Sequence, residues 1–158
     1  MEYRKAALPD VENLALMRME MLLEQGDLPG SLKAHLLENT KTYIENGIKD
    51  GSFVTWIAEE GGKLSAMGGV CFFTLPPNDW CPVGKSAYIA NMYTAPAFRK
   101  RGIAARLLKI LLDEAKSRGC ERIWLHTTDA GKRLYEKYGF ETLDTAMGLY
   151  PFGITPSV

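Results

Sequence analysis

A basic segment running straight into small residues, Arg99-Lys100-Arg101-Gly102-Ile103-Ala104-Ala105, is where residue types and spacing in this chain point most directly to chemistry. The residues that follow Gly102 start an amphipathic pattern, so the segment stands at a helix start. Backbone N–H groups there have no acceptor within the helix, and the helix dipole adds partial positive charge. A pyrophosphate fits such a place. Gly102 and the small Ala104 and Ala105 let the backbone approach it closely. The segment has neither the Gly-x-x-x-x-Gly-Lys-Ser/Thr of a nucleotide P-loop nor the Gly-x-Gly-x-x-Gly of a dinucleotide fold. Without its surroundings it also reads as a helix with a basic first turn. Metal chemistry has little to draw on: Cys71, Cys81 and Cys120 form no Cys-x-x-Cys pair, and the histidines are His35 and His126. Neither a metal site nor a disulfide framework is expected, and each cysteine reads as a small residue in or near the core.

The elements that must position this segment follow from periodicity and turn residues. Met1 to Ala6 reads as a strand, and Leu8-Pro9-Asp10 starts a helix whose Leu14, Met17, Met21 and Leu22 recur at helical spacing to about Glu24. Ser31 is placed to cap a second helix, with Leu32, His35, Leu36, Tyr43 and Ile44 on its apolar face, ending near Gly47. Phe53 to Ala58 and Lys63 to Thr74 read as strands joined by a Glu59-Glu60-Gly61-Gly62 turn. A loop from Leu75 to Gly84 carries Trp80, either a substrate-contacting or a covering residue. Ser86 to Thr94 is the next strand, Gly102 to Arg118 a helix with Ile103, Leu107, Leu108, Leu111, Leu112 and Ala115 on one face, and Arg122 to Thr127 a strand. A short helix over Gly131 to Tyr138 and a last strand from Glu141 to about Leu149 complete the chain. Hairpins mixed with helical crossovers predict an α+β or mixed α/β sheet with helices on its faces.

The 158 residues suit one domain, residues 1–158, of ordinary globular composition, 46% apolar and 24% charged. Lys plus Arg and Asp plus Glu both number 19, and this neutral balance argues against a polyanion-holding, nucleic-acid-binding protein. No stretch is long and apolar enough to span a membrane, and Met1 to Asp10 has no apolar run of a signal peptide, so a soluble, cytoplasmic protein with no membrane partner is expected.

Within this order of elements, Arg99-Lys100-Arg101-Gly102-Ile103-Ala104 resembles Arg/Gln-x-x-Gly-x-Gly/Ala, the acetyl-CoA signature of the GCN5-related N-acetyltransferase (GNAT) family. Further on, Leu134-Tyr135-Glu136-Lys137-Tyr138-Gly139-Phe140 resembles that family's Leu-Tyr-x-x-x-Gly-Phe segment. The resemblance extends from Met1 to about Leu149, with its sequence support concentrated in Ser86 to Phe140. It implies an α/β (α+β) fold with a mixed, largely antiparallel sheet of six to seven strands. Four helices lie on its faces, and the fourth and fifth strands splay apart. Acetyl-CoA, as the acyl-donor substrate, would lie in that gap with its pantetheine arm pairing like an extra strand. Met92, Tyr93 and Thr94 would supply the backbone contacts, one of their N–H groups polarising the thioester oxygen. Lys100, Arg101, Gly102, Ile103, Ala104 and Ala105 would surround the pyrophosphate, while Arg99 opens the motif and is placed to brace the loop.

The resemblance makes Tyr135 the catalytic acid: a phenol, with a reference pKa near ~10, suits protonation of a departing thiolate. Tyr138 reads as packing. The base is open. An alkyl ammonium with a reference pKa near ~10.4 must first lose a proton, yet the fourth strand has no acid. Strict alternation puts Ala87, Ile89, Asn91 and Tyr93 on one face of that strand and Tyr88, Ala90, Met92 and Thr94 on the other. Asn91 is then able to hold a water that relays the proton. His126, on the fifth strand, is a second candidate, since imidazoles ordinarily titrate near ~6.5. An acid from the N-terminal helices or loops is a third. Where many relatives have an Asn ahead of the Leu-Tyr pair, this chain has Thr127 to Arg133; Thr128 or Asp129 is placed to cap the helix, and Thr128 is the candidate cofactor contact.

These readings predict a transferase of the acyltransferase class, an acetyl-CoA-dependent N-acetyltransferase moving acetyl directly to a primary amine of a small molecule or peptide. No metal and no cysteine relay are expected, Cys71 and Cys120 lying in segments read as away from the thioester. The competing reading is a catalytically weak CoA-binding regulatory module of the same fold. Glu24, Asp27, Trp80 and Tyr150 are offered to the acceptor pocket without a readable motif, and a homodimer is expected because such relatives commonly dimerise.

Overall fold

Phe53–Glu60 (β2) and Lys63–Thr74 (β3) close on the two-residue turn Gly61-Gly62, both at positive φ, the geometry that matches the twist of a tight hairpin. Glu2–Lys5 (β1) pairs antiparallel with β2, and Lys85–Thr94 (β4) pairs antiparallel with β3. Arg122–Trp124 (β5) joins β4 in parallel, giving the order β1-β2-β3-β4-β5. The computed structural model describes residues 1–143 and 147–151. It separates into a larger unit, Met1–His126, and a smaller one, Thr127–Val158.

In the larger unit, Val11–Gln25 (α1) and Gly30–Asp50 (α2) cover one face of the sheet. Leu14, Met17, Ile44, Phe53, Ile57, Met67 and Tyr93 form the core there. Ile103–Ser117 (α3) covers the other face, where Ile103 and Leu107 pack with Ala58, Ala66, Trp56 and Met92. Its buried residues, Ile103, Leu107, Leu108, Leu111, Leu112 and Ala115, are those of the predicted apolar face. Each fully buried Leu or Ile contributes roughly 1.5–3 kcal/mol of transfer free energy, so α3 is anchored to the sheet mainly by this stripe. Arg4 fastens β1 from the edge: its guanidinium donates to both carboxylate oxygens of Asp10 at 2.8 Å and to Glu59 at 2.8 and 3.0 Å.

The smaller unit contains Asp129–Glu136 (α4), with Thr128 at its N-cap. The helix therefore starts and ends two residues earlier than the predicted Gly131 to Tyr138. Two strands also differ from expectation. β5 ends at Trp124 rather than Thr127, because its last rung with β4 is Tyr88 opposite Trp124 and no described residue pairs with it beyond. Five strands are present among the described residues, not six to seven. The expected last strand is missing from 141–143 and 147–149, while 144–146 lie outside the described residues. Leu143, Met147 and Leu149 are 60, 100 and 89% exposed, so these apolar residues of the expected strand are not buried as a strand's inner face would be.

Candidate active site

The fourth strand changes direction at Asn91. Met67 pairs with Tyr93 and Gly69 with Ala90, so Gly68 alone faces Asn91 and Met92, and Asn91 takes a left-handed φ of +55°. This is a β-bulge, and asparagine is among the few non-glycine residues that accept such a conformation readily. Glycine at 68 on the opposite strand leaves room for two side-chain ends. A Cβ there would lie 2.7 Å from Met92 Sδ and 2.9 Å from Leu111 Cδ1. The extra residue resets the alternation. Ala90 and Tyr93, predicted on opposite faces, both pack against the α1–α2 cluster, whereas Met92 packs against α3. The strict two-residue period is thus corrected by one bulge.

Pairing with β5 ends at Tyr88, while β4 continues to Thr94. Along its β5 side, Ile89 to Thr94 has no strand beside it among the described residues. Thr94 Oγ1 is buried there without a hydrogen-bond partner among them, and buried hydroxyls are normally satisfied.

Beyond Thr94 the chain makes a short 3-10 turn, Pro96–Phe98, and enters the basic segment. Arg99 braces it: Nε donates to the Thr94 carbonyl at 2.9 Å, Nη2 to Glu24 at 2.6 Å, and the guanidinium lies over the Tyr93 ring. The Tyr93 hydroxyl donates to the other Glu24 oxygen at 2.6 Å. These bonds, Tyr93 first and Arg99 second, hold the Glu24 carboxyl below its usual range; burial and then Glu24 push the Tyr93 phenol up to about 12. Arg101 forms a two-pronged bond to Glu60 at 2.6 and 3.0 Å. Two of the three basic side chains therefore fasten the turn to α1 and β2. Lys100 is in no ion pair among the described residues.

The turn itself alternates in handedness. Lys100 has φ +61° and Gly102 φ +75°, on either side of Arg101. Such alternation turns successive amides toward one concavity, which suits an anion. Gly102 is also the N-cap of α3, and a Cβ built there would meet nothing within 4 Å, so the backbone is open to a close-lying group. Ile103 and Ala104 follow in the first helical turn, where amides lack acceptors inside the helix. The bare turn and the amides of the first helical turn fit the phosphates of acetyl-CoA.

On the α1–α2 face beside the bulge is a polar cluster. Arg18 of α1 donates from Nη1 to the side-chain oxygen of Asn91. The Tyr88 hydroxyl lies 2.8 Å from His126 Nδ1, and Trp124 stacks edge-on to both rings. The Tyr43 hydroxyl donates to Cys71 Sγ at 3.1 Å. Burial raises the Tyr43 and Tyr88 phenols and the Cys71 thiol, and lowers the Arg18 guanidinium. His126 and Asn91 were candidates from the sequence; Arg18, Tyr43 and Tyr88 were missed. A charged residue between the buried Met17 and Met19 is the signal that would have found Arg18. Cys71 is also closer than expected, sitting opposite Tyr88 in the β3–β4 ladder. Its thiol, raised by burial, is a poor nucleophile.

Trp80 is 58% exposed and stacks on Arg122 at the start of β5. It lies at the end of β4 remote from the bulge. Glu24 is engaged by Tyr93 and Arg99. In the smaller unit, Tyr135 is half-buried in α4, its ring edge-on to Phe140 with centroids 5.8 Å apart. Tyr138, predicted to pack, is 38% exposed. Thr128 caps α4 by position, its carbonyl accepting from Lys132 at 3.1 Å, without a side-chain bond to the helix. Among the described residues no helix is long and apolar enough to cross a membrane, and no cluster of three potential metal ligands occurs.

The model of the Acetyltransferase (GNAT) family matches residues 19–140. The fold is similar to that of a predicted acetyltransferase with acetyl-CoA from Clostridium acetobutylicum, with TM-score 0.88 and 34% identity, covering 94% of this chain and 95% of that one. It is also similar to a GCN5-related N-acetyltransferase from Ralstonia eutropha JMP134, with TM-score 0.85 and 30% identity, covering 94% and 97%. The uncharacterized N-acetyltransferase YjgM of Escherichia coli K12 is 34% identical over 96 residues, 59% of this chain and 54% of that protein. The matched stretch thus spans about half the length of that curated relative.

Proposed function

Because the chain belongs to the GNAT acetyltransferase family, we propose that it moves the acetyl group of acetyl-CoA directly to a primary amine of a small molecule or peptide. The observation that carries this reading is the edge of β4: free of β5 beyond Tyr88, bulged at Asn91, and leading into the bare Lys100–Gly102 turn and the start of α3. An extended pantetheine arm pairs with the amides and carbonyls of Met92 to Thr94, and the pyrophosphate rests on the turn, with Lys100 adding charge. An amide N–H of this edge hydrogen-bonds the thioester oxygen as it gains negative charge.

The amine nitrogen bonds to the carbonyl carbon and the carbon–sulfur bond breaks. The incoming ammonium gives one proton to His126 before attack; the nitrogen releases its second as the carbon–sulfur bond breaks, and this proton restores the phenol of Tyr135, which protonates the leaving sulfur, a role resting on the Leu134-Tyr135 and Gly139-Phe140 match. His126 is preferred to the other bases on two grounds. The Asn91 oxygen already accepts from Arg18, and Glu24 is held as a carboxylate by Tyr93 and Arg99. In the tautomer whose Nδ1–H donates to the Tyr88 oxygen, Nε2 carries the lone pair that takes the proton.

The absence of an acid on β4 favours the second reading, a weakly catalytic CoA-binding module. Initial-velocity measurements separate them. Direct transfer gives amine-dependent release of CoA thiol with intersecting lines as both substrates vary, whereas a module binds acetyl-CoA and releases none.

A further inference from the structure

Arg18 stands apart from the other braced arginines. Arg4, Arg99, Arg101 and Arg118 each face a carboxylate, at 2.6 to 3.0 Å. Arg18 is half-buried and its one hydrogen-bond partner among the described residues is the neutral Asn91. The groups that act on it electrostatically are Tyr88, Tyr43 and Cys71, none of them an acid that ionises at neutral pH, and His126, bonded to Tyr88, supplies no negative charge. A partly desolvated cation without an anion is unfavourable, and a guanidinium has five N–H donors, of which Asn91 takes one. The side chain is thus anchored by one prong and equipped to take an anion with the rest.

Position says which molecule brings the anion. Arg18 holds Asn91, the residue of the bulge, next to the Met92 and Tyr93 amides. The phosphate turn lies past Thr94, at the other end of this stretch. We propose that the acetyl acceptor is an amine carrying a carboxylate on the same small molecule, and that Arg18 binds this carboxylate with Asn91 fixing the orientation of the guanidinium. The cluster offers one positive charge, which matches a single carboxylate better than a phosphate dianion, and a guanidinium takes both carboxylate oxygens side by side. The inference rests on the acetyltransferase reading and names the substrate class for it.

The test measures CoA-thiol release by the full chain with acetyl-CoA and amino acids, each against its own carboxamide, together with an aminoalkyl phosphate, with rates expressed per free amine. The acids are expected to exceed their carboxamides by about tenfold or more in kcat/KM. Arg18→Gln should lower kcat/KM for the best acid roughly 100-fold, chiefly through KM, and bring the acid-to-carboxamide ratio toward one. Arg18→Lys, which keeps the charge, should retain part of the preference. Acetyl-CoA-induced thermal stabilisation confirms that each variant is folded. Carboxamides or the phosphate matching the acids, no release with any acid, or equal loss for acid and carboxamide in Arg18→Gln overturns the inference. Release with neutral amines then leaves acetyl transfer standing; no release with any amine counts against both.

Discussion

The Tyr88 hydroxyl and His126 Nδ1 lie 2.8 Å apart where the β4–β5 ladder ends. This pairing orients the imidazole at the one point where the two strands part. With His126 as base, His126→Gln should lower kcat about 100-fold and remove the acid limb of its pH profile. Tyr88→Phe, which frees the ring without removing it, should have a smaller effect on rate. An unaltered acid limb in His126→Gln assigns the proton transfer to another group.

Tyr135→Phe removes the phenol proton and keeps the ring that meets Phe140. Turnover should fall about 100-fold or more, with acetyl-CoA affinity changed only slightly. Isothermal titration beside steady-state kinetics checks the split; full turnover would take Tyr135 out of the chemistry.

At Gly102, φ is +75° and the flanking space is open. Gly102→Ala should cost about 1 kcal/mol in denaturant unfolding, from the left-handed backbone alone. Gly102→Glu, which sets a carboxylate where the pyrophosphate is expected, should abolish the rise in Tm given by acetyl-CoA while the protein stays folded. Retained stabilisation would move the phosphate site elsewhere.

Arg4 lowers the Asp10 carboxyl below its usual range, chiefly by direct hydrogen bonding. A depressed carboxylate contributes stability above its unfolded value, near ~3.9, and loses it as pH falls through the folded one. Arg4→Met should therefore destabilise by roughly 1–2 kcal/mol at neutral pH, allowing for solvent screening. The difference from wild type should shrink below about pH 4. Unfolding curves at several pH values check it, and a pH-independent difference would mean that packing alone is lost.

Much of the fold was legible because its signals are local. The α3 stripe, the Gly61-Gly62 turn and the Arg99 to Ala104 motif each lie in a few consecutive residues. What was not legible depends on neighbours distant in the chain. Asn91 looks like an ordinary strand position until Gly68 across the ladder admits a bulge, and every face assignment after it shifts. Arg18 reads as one polar residue on a Met-rich helix until it meets Asn91. The Arg101 side chain pairs with Glu60, a partner far away in the chain that no local pattern shows. The expected last strand rested on a local apolar pattern, of which the described Leu143, Met147 and Leu149 are exposed.

The most direct test of acetyl transfer at the parted edge of β4 is product analysis. Wild-type protein, acetyl-CoA and a panel of amines are incubated, CoA thiol is quantified, and amines and intact protein are weighed by mass spectrometry. Direct transfer gives thiol release only with an amine, an equal amount of N-acetylated amine, and no acetylated protein, in keeping with the raised Cys71 thiol. Tight binding of acetyl-CoA with no amine-dependent release, or a protein-bound acetyl group that passes to the amine, would contradict it.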